Sequence, residues 1–273
     1  MAVYFVTGGL GSGKSLSAVM RLREYAFNGC PIAGNLNIYL DHLCTDVRSR
    51  VTYTRLPDRP TAADFEALGY GNTTYDEENN GLIVLDELAT WLNSHTWNQK
   101  GRAELRDWFV HSRKYGWDII FLVQSIEAVD SQLLELLMEY HCPVSNLAKI
   151  NVPIVGRLWR QFHPRNKPLR LPKIHTVPVL YKNKVNADRW TFRARDLYKA
   201  YDTKQVISDN WPHGTHTQLS RWHLEGRYLP QPPTLAERIA RFFIFPVQVL
   251  IYLSCRICRH PVPMVSKNNL AKI

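Results

Sequence analysis

The chain is poor in cysteine. Its five cysteines, at positions 30, 44, 142, 255 and 258, form an odd and scattered set. That excludes a disulfide framework and fits reduced thiols in a cytosolic compartment. Cys255 and Cys258 make one C-x-x-C with no second pair, half of what a structural zinc site needs. The histidines show no metal-ligand spacing beside cysteine and read as scattered polar or core residues. Long apolar runs are also scarce. The longest uncharged stretch near the C-terminus, 242–255, has 14 residues, whereas a spanning helix wants about 20. No repeat or low-complexity segment appears. No secretory signal precedes the first strand pattern, so the N-terminal half is expected on the nucleotide-containing side of any membrane. Acidic residues are scarce in the second half alone. Residues 150–273 carry 21 Lys+Arg against 6 Asp+Glu, while residues 1–149 carry 13 against 18. A basic half joined to a mildly acidic one points to an anionic partner, nucleic acid or anionic lipid, for the second half.

What is present begins at the N-terminus, with AVYFVTGGLGSGKS at residues 2–15. The β-forming run Val3-Tyr4-Phe5-Val6 enters a glycine-rich turn, and a helical pattern follows, with Leu16, Val19, Met20 and Leu22 as its apolar stripe. Gly8, Gly13, Lys14 and Ser15 match G-x-x-x-x-G-K-[ST], the phosphate-binding loop, in its strand-to-helix context. Glycines there allow positive φ, so that backbone N–H groups wrap a polyphosphate at the positive end of a helix. The predicted binding stretch is Gly8, Gly9, Leu10, Gly11, Ser12, Gly13, Lys14, Ser15 and Leu16. Lys14 is expected on the β- and γ-phosphates, and the Ser15 hydroxyl on Mg²⁺.

The second landmark is Gly81-Leu82-Ile83-Val84-Leu85-Asp86-Glu87. Four aliphatics in a row suggest a strand buried on both faces, as in a parallel sheet. The acidic pair falls at its C-terminal end, the edge where open α/β sheets bind ligands. Asp86 is the candidate Mg²⁺ carboxylate and Glu87 the candidate general base. DIIFLVQ, 118–124, reads as a further buried strand, and Gln124 at its end is a candidate for orienting the attacking water. Arg113, before that strand, reads either as a trans-acting arginine finger or as a solvated helix arginine. Thr61 and Asp64 mark a helix start, and strand candidates lie at 31–36, 51–54 and 144–150. Alternating βα units imply an α/β fold, a P-loop NTPase with a mostly parallel sheet flanked by helices. The separate glutamate suggests the P-loop ATPase division with an additional catalytic glutamate.

From residue 152 the texture changes. Prolines recur at 153, 164, 168, 172 and 178, and basic and aromatic residues interleave from Arg157 to Arg170. Such a stretch suits single-stranded nucleic acid or anionic head groups, and the prolines argue against long regular elements. Residues 188–201 read as a strand and a helix. Pro230-Gln231-Pro232-Pro233 is a rigid linker. Residues 239–255 then carry one charge, Arg241, and read as a membrane anchor, spanning or interfacial, or as a buried helix. The expected domains are 1–150, the ATPase core; 151–230, a basic appendage; and 231–273, linker and short apolar tail.

The opening loop, GLIVLDELATWLNSHTWN, DWFVHSRKYGWDIIFLVQ and LYKAYDTKQ together resemble the assembly ATPase of filamentous bacteriophages. These are the gene-I-type morphogenesis proteins of the zonula-occludens-toxin-like group. The resemblance covers roughly residues 1–230. It implies a Mg²⁺-dependent ATPase, cytoplasmic but attached to the host inner membrane, that powers virion extrusion. Its partners would be coat proteins, the phage single-stranded DNA complex and an outer-membrane exit channel, and related motors work as homo-oligomers. Here 18 residues follow Cys255 (273 minus 255), fewer than the resemblance implies for a periplasmic region, so the exit channel is the partner least expected from it. A nucleotide-binding scaffold for coat and membrane partners, and a soluble DNA-packaging ATPase, are the alternative readings.

Overall fold

The computed structural model describes residues 2–74, 76–88, 102–146, 174–193, 196–208, 211–228 and 234–235. The chain divides into two units, Met1–Arg227 and Tyr228–Ile273, and the elements named below belong to the first. β1 (Val3–Thr7) leads into α1 (Lys14–Phe27), β2 (Ile32–Gly34), the short α2 (Leu40–Leu43) and β3 (Thr52–Arg55). α3 (Ala62–Leu68) starts at the expected Thr61–Asp64 capping box, and β4 (Gly81–Leu85) follows. Then come α4 (Arg102–His111), β5 (Trp117–Val123), α5 (Ser131–Leu137), β6 (Tyr140–Pro143) and β7 (Ser145–Asn146). β8 (His175–Tyr181), β9 (Asn186–Phe192), β10 (His216–Leu219) and α6 (Arg221–Glu225) complete the unit.

All ten strands of the described residues join one sheet. Its middle runs β3-β2-β4-β5-β1-β6, every neighbouring pair parallel. β10 closes one side antiparallel to β3. At the other, β8 pairs antiparallel with β6, β7 and β9. The mostly parallel α/β fold expected from the βα alternation is the fold of the protein. β5 lies between β1 and β4, with Val6 opposite Leu122 and Val84 opposite Ile120. The loop strand and the acidic-pair strand are thus one strand apart, with their C-terminal ends on the same edge.

The core occupies both faces of the sheet. β4 is buried at all five positions, because alternate side chains meet different layers. Leu82 and Val84 join Leu16, Val19 and Leu22 of α1. Ile83 and Leu85 join Phe65 of α3, Trp108 and Phe109 of α4, and Leu133 of α5. Cys30, Cys44 and Cys142 are free and buried.

Residues 175–192 and 216–219, read from sequence as part of an appendage, extend this same sheet. Pro178 sits inside β8, where proline argued against a regular element. β8 pairs through His175 and Thr176 with β7 and through Leu180 and Tyr181 with β6. Pro178 falls between those two pairings, where no ladder donor is needed on that side. Within the expected strand and helix at 188–201, β9 is followed by a 3-10 turn, Asp196–Lys199, in place of an α-helix. The basic-aromatic run 157–170, the apolar segment 239–255 and the C-x-x-C pair lie outside the described residues. Among those described, no helix is long and apolar enough to cross a membrane.

Candidate nucleotide site

Beyond Thr7 the chain turns through Gly8, Gly11 and Gly13, with φ of 152°, 67° and 106°. These values come at little cost only to glycine. At Gly13 a second restraint applies, since a Cβ there would lie 2.5 Å from His175 Nδ1. α1 begins at Lys14 with no side-chain cap and no acidic residue in its first turn. Its first amides are therefore left for an anion. The Lys14 ammonium donates to Gly8 O at 2.7 Å and to Gly9 O at 3.4 Å. Partial burial pushes its pKa down, and the Asp86 charge opposes that.

Asp86 follows the last residue of β4. Ser15 Oγ donates to Asp86 Oδ2 at 3.2 Å, and the Glu87 amide donates to Asp86 Oδ1 at 2.7 Å. Burial pushes the Asp86 carboxyl above the usual range, against the pull of that amide, the Ser15 hydroxyl and Lys14. Glu87 is pushed up by burial and then by the Asp86 charge, with Arg59 acting the other way. Glu87 also has φ 54°, a left-handed conformation uncommon outside glycine and concentrated at functional sites.

A cleft of about 620 Å³ is lined by Leu10, Gly11, Ser12, Gly13, Lys14, Ser15 and Leu16 together with Asp86, Glu87 and Gln124. Gly8 and Gly9 stand at the root of the loop, where their carbonyls receive Lys14. Arg113 lies elsewhere. It precedes β5, at the sheet edge opposite the loop, and pairs with Glu77 at 2.7 Å. The Ser15 hydroxyl and Asp86 carboxylate supply two adjacent hard oxygens, a donor set that suits Mg²⁺. Among the described residues no cluster of three or more His, Cys, Asp or Glu stands ready to hold a metal. Mg²⁺ fits such a sparse site because it keeps waters and phosphate oxygens in its shell.

Three contributors were not singled out from sequence. His175, on β8, is buried and makes a 3.2 Å hydrogen bond from Nδ1 to Ser12 O, with Phe192 stacked on its ring at 5.4 Å. It thereby props the loop from the far part of the sheet. Tyr201 lines the cleft, and burial, followed by the Tyr198 and Asp86 charges, raises its pKa. Asn35, beyond the end of β2, is fully buried and bonds the backbone of Asp86. Its only sequence signal is a lone amide following an apolar strand.

Strand, glycine loop, helix and a neighbouring acidic strand end are the arrangement of a P-loop α/β fold. Residues 2–203 match the family model described as Zonular occludens toxin (Zot), and the chain belongs to that family. It is 42% identical over 244 residues to the Gene 1 protein of Enterobacteria phage M13, covering 88% of this chain and 69% of that protein. It is 38% identical over 261 residues to the Gene 1 protein of Escherichia phage If1, covering 93% and 73%. Among solved structures, the N-terminal domain of zonular occludens toxin from Neisseria meningitidis aligns over 74% of this chain and 98% of its own. Identity there is 18% and the TM-score 0.41.

Proposed function

We propose that this protein is an ATP-hydrolysing motor for filamentous phage assembly and extrusion. It works as a homo-oligomer attached to the host inner membrane, with the P-loop unit on the cytoplasmic side. Kinship to the Gene 1 proteins of M13 and If1 supports the assembly role. The basic second half supports an anionic partner such as the single-stranded DNA complex, and the apolar stretch 239–255 supports the membrane attachment.

The observation that carries the hydrolytic reading is the 3.2 Å bond from Ser15 to Asp86 in the cleft that Lys14 and Glu87 share. In this reading the amides of residues 8–16 wrap the phosphates of ATP. Lys14 exchanges the Gly8 carbonyl for β- and γ-phosphate oxygens. Ser15 and Asp86 hold Mg²⁺, which when bound neutralises charge developing on those oxygens. Glu87 takes the proton of the attacking water, and its raised pKa strengthens it as a base. Gln124, at the end of β5 and lining the same cleft, orients that water.

Steady-state ATP turnover with and without Mg²⁺ tests this. Lys14→Ala is expected to lower turnover by at least about a hundredfold, the scale seen when one charge-stabilising donor is lost. Turnover that survives the substitution sinks the mechanism.

A further inference from the structure

The stretch Tyr201-Asp202-Thr203-Lys204-Gln205 carries part of the family resemblance, yet the mechanism above gives it no task. It runs as a strap beside the exit of β2. Tyr39 N–H donates to Ala200 O at 2.8 Å, and Asp202 N–H donates to Asn37 O at 3.0 Å. Ile38 and Tyr201 form an antiparallel bridge between them. Tyr201, Asp202, Thr203 and Gln205 line the same cleft as Lys14 and Asp86.

The Gln205 side chain closes onto β2 with both of its polar ends. Nε2 donates to Asn35 O at 2.8 Å, and Oε1 accepts from Asn37 N–H at 2.7 Å. Asn35 then closes onto the acidic strand in the same way. Its Oδ1 accepts from Asp86 N–H at 2.7 Å, and its Nδ2 donates to Asp86 O at 3.2 Å and to Asp58 O at 3.1 Å. One side chain therefore grips the amide and the carbonyl of the same residue. Both peptide planes flanking Asp86 are fixed at the point where the sheet ladder has run out. The next residue is Glu87, with its left-handed φ of 54°. Such a conformation persists only where the surroundings over-determine it, and the grip on Asp86 supplies that restraint.

We infer that Gln205 and Asn35 are positioning residues for the hydrolytic pair: Gln205 sets the end of β2, and Asn35, hung from it, sets the turn that delivers Glu87 to the cleft. This rests on the reading of Asp86 and Glu87 given above. Neither side chain acts on the phosphates or the water. Loss of either leaves the nucleotide-wrapping loop intact and displaces the base.

The test uses the full chain carrying Gln205→Ala or Asn35→Asp. The latter turns a donor facing two carbonyls into an acceptor. In both, kcat falls by about tenfold to a hundredfold, the scale of a small misplacement of a catalytic group. Affinity for a fluorescent ATP analogue moves by less than about threefold, because the binding loop is untouched. Exchange of the Asp86 amide, followed by hydrogen–deuterium exchange, speeds up by about tenfold or more. A parallel loss of affinity and kcat, or an unchanged kcat, overturns the proposal. So does unchanged Asp86 exchange in Gln205→Ala, which also decides the matter if Asn35→Asp fails to fold. A wild-type chain without ATP turnover overturns the hydrolytic reading instead, and the exchange measurement then still decides the clamp.

Discussion

Two ion pairs at opposite edges of one sheet have nearly the same length and different environments. At the carboxyl edge, Arg55 Nη2 and Asp58 Oδ1 are 2.5 Å apart, with side chains 1% and 3% exposed. At the amino edge, Arg113 Nη2 and Glu77 Oε1 are 2.7 Å apart, with side chains 72% and 53% exposed. The first pair is embedded. Arg55 Nε donates to Asn37 Oδ1 at 3.0 Å, Trp211 covers the guanidinium at 4.0 Å, and Ser208 N–H donates to Asp58 Oδ2 at 3.0 Å. The second faces water, where Coulomb attraction is screened and two long side chains must be held still. The amino edge does bury one carboxylate. Asp118 accepts from Tyr25 Oη at 2.7 Å, from the Ala2 amide at 2.7 Å and from Asn80 at 3.2 Å. Those neutral donors pin the start of β1. At the carboxyl edge, by contrast, the buried polar groups connect strand ends to the cleft, where an α/β sheet places its ligands.

Breaking the buried pair is the largest expected effect. Asp58→Ala leaves the Arg55 guanidinium buried without its carboxylate, and removal of one partner of such a pair costs about 3–5 kcal/mol. A chemical-denaturation midpoint measures this. A loss below about 1 kcal/mol would mean that water reaches Arg55 and that the two pairs are alike.

A middle-sized effect, of opposite sign, is expected at Asp86. Its carboxyl is held above the ordinary 3.8, chiefly by burial, so the folded chain binds this proton more tightly than the unfolded one. The stability that the group contributes is full below the ordinary value and is lost as pH rises through the raised one. Glu87 adds a fall of the same sign above its ordinary 4.5. Without nucleotide, Asp86→Asn should therefore stabilise the protein at neutral pH by on the order of 1 kcal/mol, or about 2–4 °C in Tm. It should also flatten the fall in Tm as pH rises above the ordinary carboxylate range, while ATP turnover is lost. Thermal melts across that rise decide, and a lower Tm at neutral pH would contradict the cost assigned to burying this charge.

The two sides of the cleft were not equally legible in the sequence. The loop is contiguous, and each residue type has its own local reason: glycine for positive φ, Lys14 for charge, Ser15 for a hydroxyl at a helix start. The burial of β4 was legible in its unbroken aliphatic run, and the capping box in Thr61 and Asp64. What holds the acidic side was not. Asn35 meets Asp86 across 51 residues, Gln205 meets Asn35 across 170, and His175 meets Ser12 across 163. No periodicity carries such pairings, because they depend on which strands become neighbours. Pro178 misled for a related reason. Its missing N–H matters only if a partner strand stands opposite, and the gap between β6 and β7 is a tertiary fact. At Glu87 the residue type was legible while its backbone conformation was not.

The smallest effect is expected at Arg113, and it separates two roles that the sequence left open. Within one chain, Arg113 cannot serve the cleft. It precedes β5, and the seven residues from Trp117 to Val123 carry that strand about 20 Å to the loop edge. Its bond to Glu77 is exposed, so Arg113→Ala should change stability by less than about 0.5 kcal/mol. A role in catalysis would have to run through the cleft of a neighbouring copy, and such a role depends on protein concentration. Turnover per chain measured over a dilution series, for wild type and Arg113→Ala, tests this. The expected result is two coincident curves, with Arg113 serving only its solvated pair. A variant that melts like wild type but loses the concentration-dependent rise would assign the amino edge to a subunit boundary, and the comparison of the two edges would then be between a chain's own site and its neighbour's.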